Sequence, residues 1–188
     1  MKKILSLITI LTICLCMMPS GVDAAIERND SYANLTDTST LADSIAEPQP
    51  SLAKRLSDFA SQFLGRKYVF GATGPKSFDC SGFTSYIFGS EGIKLPRTSR
   101  MQYLEGESIE SGDLQVGDLI FFSSPRSGSG RVGHVGMVVS VDEDSNSVTF
   151  IHASQTKGIS YQTFPDGGYF SKRYIGAKRV IDASVPCA

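Results

Sequence analysis

Four cysteines and two histidines are the residues in this 188-residue chain best suited to nucleophilic chemistry. Cys80 stands in Phe78-Asp79-Cys80-Ser81-Gly82-Phe83, followed by Ile87, Phe88 and Gly89. Asp79 can cap, the apolar residues recur at helical spacing, and Gly89 can stop the helix, so the pattern predicts a helix opening at Asp79. A thiol in the first turn of a helix meets unpaired N–H groups. Their partial positive charge lowers its pKa, and the same amides can receive an oxyanion. Gly82 is read as leaving one side of that turn open. A lone thiol can equally be an inert core side chain, so the histidines decide.

Both histidines lie in strand-like sequence. His134 sits in Gly133-His134-Val135-Gly136-Met137, between glycines that leave room for a substrate, and His152 sits in Phe150-Ile151-His152-Ala153. The polar stretch Asp142 to Asn146 reads as the turn of a hairpin joining the two runs. A direct pairing of His134 with His152 sets Val141 opposite Ser145 and closes on a three-residue loop. Both imidazoles then share one face, His134 as base for the thiol and His152 as its orienter. A zinc site is the rival use, but no Cys-x-x-Cys or His-Glu-x-x-His spacing occurs and the ligands would come from three separate elements. No Gly-x-Ser-x-Gly elbow supports a serine nucleophile.

The amino terminus bears on the cysteines. Lys2 and Lys3 precede an apolar run from Ile4 to Met18, then Pro19-Ser20-Gly21, with small residues up to Ala24. This reads as a secretory signal over 1–24 and implies export to the periplasm or cell envelope; the run is short for a membrane span, so no stable insertion is expected after cleavage. Cleavage removes Cys14 and Cys16, leaving Cys80 and Cys187. A bridge between these two would be worth about 4–5 kcal/mol in the chain-entropy model. Cys187, however, is the penultimate residue, where chains fray, so Cys80 is expected to stay a free thiol. Cleavage also removes Lys2, Lys3 and Asp23 and takes the net charge from −1 to −2. Neither value provides a basic field for nucleic acid.

The elements that must position these groups follow from patterning. Residues 25–50 are a polar linker, rich in Asp, Ser, Thr and Asn. The domain spans 51–182 and a short tail spans 183–188. Ser51 can cap a helix carrying Leu52, Leu56, Phe59, Ala60, Phe63 and Leu64, and Gly65 can end it. A third short helix is expected from Thr98 through Met101 to Leu104. Strands are expected at 118–122, 135–141 and 148–153, with weaker candidates at 159–164 and 174–180. Helices first, then strands with short antiparallel connections, point to α+β. The segment Ser123 to Arg131 reads as a solvated loop beside the site, with Arg126 or Arg131 as alternative contacts for a carboxylate.

Six segments carry a resemblance: Tyr68-Val69-Phe70-Gly71, Asp79-Cys80-Ser81-Gly82-Phe83, Leu95-Pro96-Arg97-Thr98-Ser99, Gly117 to Phe122, Gly133 to Met137 and Ile151-His152-Ala153. In this order, over about residues 55–181, the chain resembles the NlpC-type cell-wall cysteine peptidases. The resemblance implies a papain-like fold, with the cysteine helix packed on an antiparallel sheet bearing both histidines. It implies hydrolysis of bacterial cell-wall peptides, usually the bond from γ-D-glutamate to a diamino acid, without cofactor or metal. Cys80 matches the nucleophile, His134 the general base, His152 the orienting residue, and Tyr68 a tyrosine near the oxyanion. Asp79 and Ser81 match positions that contact the peptide's free amine in some members. The implied partners are peptidoglycan stem peptides or released muropeptides, and the protein is read as a monomer. An amidase or acyltransferase on the same scaffold, or a non-catalytic wall-binding domain, stays open at this point.

Overall fold

Ser51 begins the first helix, its hydroxyl accepting from the Lys54 N–H at 3.3 Å, as the sequence predicts. In the computed structural model, residues 49–125 and 130–181 are described. The expected signal segment, most of the linker, Arg126, the tail and Cys187 fall outside them. Helix α1 (Leu52–Ser61) buries Ala53, Leu56 and Ala60. Helix α2 (Cys80–Gly89) is capped by Asp79 and buries seven of its ten residues. Its apolar positions run around most of the helix because α1 covers one side and a sheet the other. Rings join the two helices: Phe59 stacks on Tyr86 at 5.9 Å, and Phe63 meets Tyr86 and Phe78 edge-on at 5.3 and 5.4 Å. Such pairs add roughly 0.5–1.5 kcal/mol each beyond area burial. The short α3 (Ser99–Gln102) is capped by Thr98.

The strands are β1 (Glu107–Ile109), β2 (Leu119–Ser123), β3 (Val132–Asp142), β4 (Ser147–Ser154), β5 (Gly158–Phe164) and β6 (Tyr174–Arg179). They form one antiparallel sheet in the order β1-β6-β2-β3-β4-β5. Three helices, a 3₁₀ turn (Ser171–Arg173) and this sheet make the α+β, papain-like arrangement. Strand β1 has no counterpart in the sequence reading. It is a three-residue, largely exposed edge strand without alternating hydrophobicity.

Strict alternation gives the sheet two cores. Leu119, Phe121, Val135, Met137, Ile151 and Ala153 face the helices. Ile120, Phe122, Val138 and Phe150 face the other way, with Phe170 and Tyr174 packed against them. His134 and His152 lie side by side on this second face, next to Phe122 and Phe150. At the sheet's far side the buried Asp118 accepts two bonds from Arg179, both at 2.8 Å, and caps Gln115, fixing β6 against the entry to β2.

The β3–β4 register corrects the sequence reading. Gly136, and not His134, stands opposite His152, and Asp142 pairs with Ser147. The closing loop is Glu143–Asn146, where the Asp142 carboxylate accepts from the Ser145 N–H and Asn146 takes a positive φ of 48°. Asn tolerates that conformation better than most residues. A bulge at Val139, between the Val138 and Ser140 pairs, shifts the ladder by one. The two histidines nevertheless share a face, since the diagonal offset is two residues and the period of a strand is two.

Gly136 also has a different task from the one expected. A Cβ there would lie 2.6 Å from the Phe150 ring, 3.0 Å from the Ile151 carbonyl and 3.2 Å from the His152 Cβ. Its missing side chain makes room for β4, not for substrate. Gly136→Ala is therefore expected to lower stability by about 1–3 kcal/mol, a fall in Tm on the order of 5–10 °C. It should also lower turnover by displacing His152; an unchanged Tm and rate would refute this role.

Candidate active site

Cys80 is a free thiol, 9% exposed, at the first position of α2. Its sulfur rests against the backbone of β3, facing the amide N–H of Val135 and those of Ser81 and Cys80 itself. Val135 points into the helix-side core and its neighbour His134 to the opposite face, so the thiol meets β3 one residue from the imidazole-bearing position. Tyr68 is held alongside by a parallel bridge to Phe78, with the Val69 N–H donating to the Phe78 carbonyl at 2.9 Å. Tyr68, His134 and His152 line one cleft of about 370 Å³.

The charge balance at the thiol differs from the sequence expectation. The three amides pull its pKa down, as a helix N-terminus should. Burial and then the adjacent Asp79 carboxylate outweigh them and raise it above the ordinary 9.0. His134 is pushed down to about 4 by burial. His152 falls to about 3, through burial and then the charges of His134 and Lys157. The thiol and both imidazoles are thus neutral together over a wide pH range. His134 Nε2 and His152 Nδ1 are 2.9 Å apart with the rings nearly perpendicular. One hydrogen must lie between them. If His134 carries it on Nε2, its Nδ1 is free to accept the thiol proton, and His152 receives through Nδ1 as a neutral ring.

The Asp79 carboxylate is the most heavily used group near the thiol. Its Oδ1 accepts from the Gly82 N–H at 2.7 Å and its Oδ2 from the Gly71 N–H at 2.9 Å. Arg97 donates to both oxygens, at 3.1 and 2.5 Å, and reaches the Ser81 hydroxyl at 3.1 Å. Asp79 and Ser81, assigned by resemblance to the substrate amine, are each 5% exposed and bonded within this cluster. Gly82 does not leave the turn open. A Cβ there would lie 2.2 Å from the Ala72 carbonyl, because the 71–73 turn is laid directly on the helix end.

Three contributions have no signal in the sequence strong enough to assign them. Arg97 is the first, although an arginine between Pro96 and a capping Thr98 is well placed to reach a neighbouring acid. Gln102 is fully buried and ties α3 to α2: its amide donates to the Ser81 carbonyl and the Ser85 hydroxyl, and its oxygen accepts from the Thr84 hydroxyl at 2.8 Å. Phe170 closes over the imidazoles, 5.3 Å from His152 and 6.3 Å from His134. No spacing rule links it to them. Of the arginines expected near the cleft, Arg126 lies outside the described residues. Among those described, no group of three or more His, Cys, Asp or Glu side chains could hold a metal.

A helix-borne thiol set against a histidine-bearing antiparallel sheet defines the papain-like class. The NlpC/P60 family model matches residues 65–179, and the chain belongs to that family. It is 34% identical over 167 residues to a gamma-D-glutamyl-L-lysine dipeptidyl-peptidase of Bacillus cereus, covering 88% of this chain and 45% of that protein. It is 39% identical over 121 residues to a probable endopeptidase p60 of Listeria seeligeri, covering 64% of this chain and 21% of that one. The chain thus spans under half the length of these relatives. A crystal structure of an NlpC/P60 family protein from Bacillus cereus superimposes with a TM-score of 0.61 at 34% identity, over 71% of this chain and 42% of that one.

Two outcomes are expected. Because the thiol and His134 are neutral together between their two pKa values, kcat/KM for peptide hydrolysis should rise as pH increases through about 4 and stay level past neutrality. It should fall only above the ordinary thiol value of 9.0. A narrow bell centred near pH 6 would contradict the burial argument. Arg97→Ala leaves the Asp79 charge uncompensated beside Cys80. Stability should drop by about 1–3 kcal/mol and the alkaline limb should move higher, with Arg97→Lys recovering part of both.

Proposed function

We propose that this protein is an exported cysteine peptidase that hydrolyses peptidoglycan stem peptides at the γ-D-glutamyl–diamino acid bond, through a thioester. The observation that carries the reading is the conjunction of Cys80 on the capped end of α2 with the His134–His152 pair, in a member of this family. The Bacillus cereus relative named for γ-D-glutamyl-L-lysine supports the choice of bond. The apolar run at residues 4–18 supports export to the cell envelope.

The thiol gives its proton to His134 Nδ1 as sulfur attacks the γ-carbonyl carbon. The oxyanion forms beside the Cys80 amide and the Tyr68 hydroxyl. His134 keeps its Nε2–H on His152 throughout and passes the new proton to the leaving amine, which departs as the thioester forms. Water, deprotonated by His134, then attacks the thioester carbon and frees Cys80. The acyl half of the peptide lies toward Asp79 and Ser81, where the exposed edge of Arg97 marks the border of the cluster.

Cys80→Ala should abolish release of the diamino acid from L-Ala-γ-D-Glu-L-Lys, followed by mass spectrometry, with Tm preserved within a few degrees. His134→Ala should cost about 10²–10⁴-fold in kcat. His152→Gln should cost less, because an amide can still receive the Nε2–H. Release at another bond by the unaltered protein would point to an amidase or acyltransferase on this fold, and undiminished turnover in the Cys80 variant would end the thiol mechanism.

A further inference from the structure

His134 must protonate the leaving amine, so the leaving half of the substrate lies on the His134 side of Cys80. That side opens into the cleft of about 370 Å³, whose inner walls are Phe122, Phe170 and Tyr169. Its size is at the low end for small-molecule sites and suits one or two amino-acid residues. The turn between β4 and β5 also lines the cleft. There the Ser154 hydroxyl accepts from the Thr156 and Lys157 N–H groups at 3.4 and 3.2 Å, which fixes where Lys157 begins. Among the described residues lining the cleft, Lys157 is the one lysine or arginine, and none is acidic. Its ammonium has no ion-pair or hydrogen-bond partner among the described residues, whereas Lys54 and Lys178 are each engaged. It is also near enough to the catalytic end for its charge to help keep His152 neutral.

We propose that this cleft is the subsite for the leaving amino acid and that Lys157 selects one bearing a carboxylate. The identity of that amino acid as a diamino acid rests on the function proposed above; the charge preference rests on the cleft alone. An apolar wall and a single unpaired cation in one cleft fit an amino acid whose aliphatic stem lies on Phe170 and whose carboxylate reaches Lys157. The carboxylate has two sources, the main chain of a terminal residue or the side chain of diaminopimelate. Because Lys157 is exposed, the pair should contribute about a two- to five-fold preference at low salt, less at high salt.

Cys80→Ala protein, with and without Lys157→Glu, is titrated by NMR at low salt with three leaving-side probes. They are L-lysinamide, L-lysine, and meso-diaminopimelate amidated on the main-chain carboxyl next to the reacting amine. Tighter binding of one or both acids than of the amide, by about two- to five-fold and lost or inverted in the Lys157→Glu protein, supports the proposal. Which acid gains identifies the carboxylate. Equal affinities, no binding, or indifference to Lys157→Glu overturns it. In parallel, the unaltered protein and Lys157→Glu are given L-Ala-γ-D-Glu-L-Lys as free acid and as C-terminal amide. Failure to cleave either, with the binding preference intact, refutes the γ-D-glutamyl reading and leaves the Lys157 assignment standing. Cleavage, with no carboxylate probe preferred, refutes the Lys157 assignment alone.

Discussion

One buried carboxylate organises the helical half of the site. Asp79 holds the end of α2 through the Gly82 amide, the turn that carries Tyr68 through the Gly71 amide, and the loop before α3 through Arg97. Three chain segments that share no secondary structure meet on its two oxygens. This gives the nucleophile its place, since Cys80 is the next residue and can move only with the helix end. The same charge opposes thiolate formation, and its partner Arg97 limits the cost. A carboxylate that caps a helix is worth about 1 kcal/mol on the surface. Here its removal would free three segments at once, and for that reason a neutral cap would be a poor substitute.

The sheet half rests on a different principle, which is desolvation of the imidazoles by the rings packed against them. The imidazole pair is packed among Phe122, Phe150 and Phe170, so neither ring is easily charged. Burial thus acts on the Cys80 thiol and the His134 imidazole in the same sense, keeping both neutral. A neutral orienting residue suits this arrangement. A buried carboxylate in the place of His152 would raise the His134 pKa and shift the resting balance toward the charged imidazole.

Much of this was legible in the sequence, for reasons that differ by element. The cap at Asp79, the helix after it and the strands around His134 and His152 are dictated by short-range patterns, and the structure has each within a few residues of the expected bounds. That the histidines share a face follows from their even separation only once a register of matching parity is assumed, and the structure has such a register at Gly136 and His152. Their exact register does not follow, because the bulge at Val139 and the positive φ of Asn146 depend on how the sheet closes. Gly136 reads from sequence as space for substrate and Gly82 as an open side of the turn, yet both are approached by protein: Gly136 by Phe150 and Gly82 by the Ala72 carbonyl. A glycine in sequence announces close approach without saying what approaches. The sign of the Cys80 shift was misread because a helix end is a local feature, whereas burial is a property of the whole fold.

The residues hardest to see from sequence have one thing in common: each acts through a partner far along the chain. Arg97 serves Asp79, Gln102 serves Ser81, and Phe170 covers His152. None belongs to a spacing that implies its partner. What ties them together is the geometry of a papain-like site, in which the nucleophile and base come from opposite layers and meet only at their edges. At such an edge neither layer can shelter the reacting groups by itself. The chain therefore adds cover from outside both layers, with the Asp166–Ser171 turn folded on its own carboxylate so that Phe170 is held in place over the imidazoles. That turn closes one side of the His134 cleft and leaves the Lys157 side open, so the polarity of the cleft is set by where the cover stops.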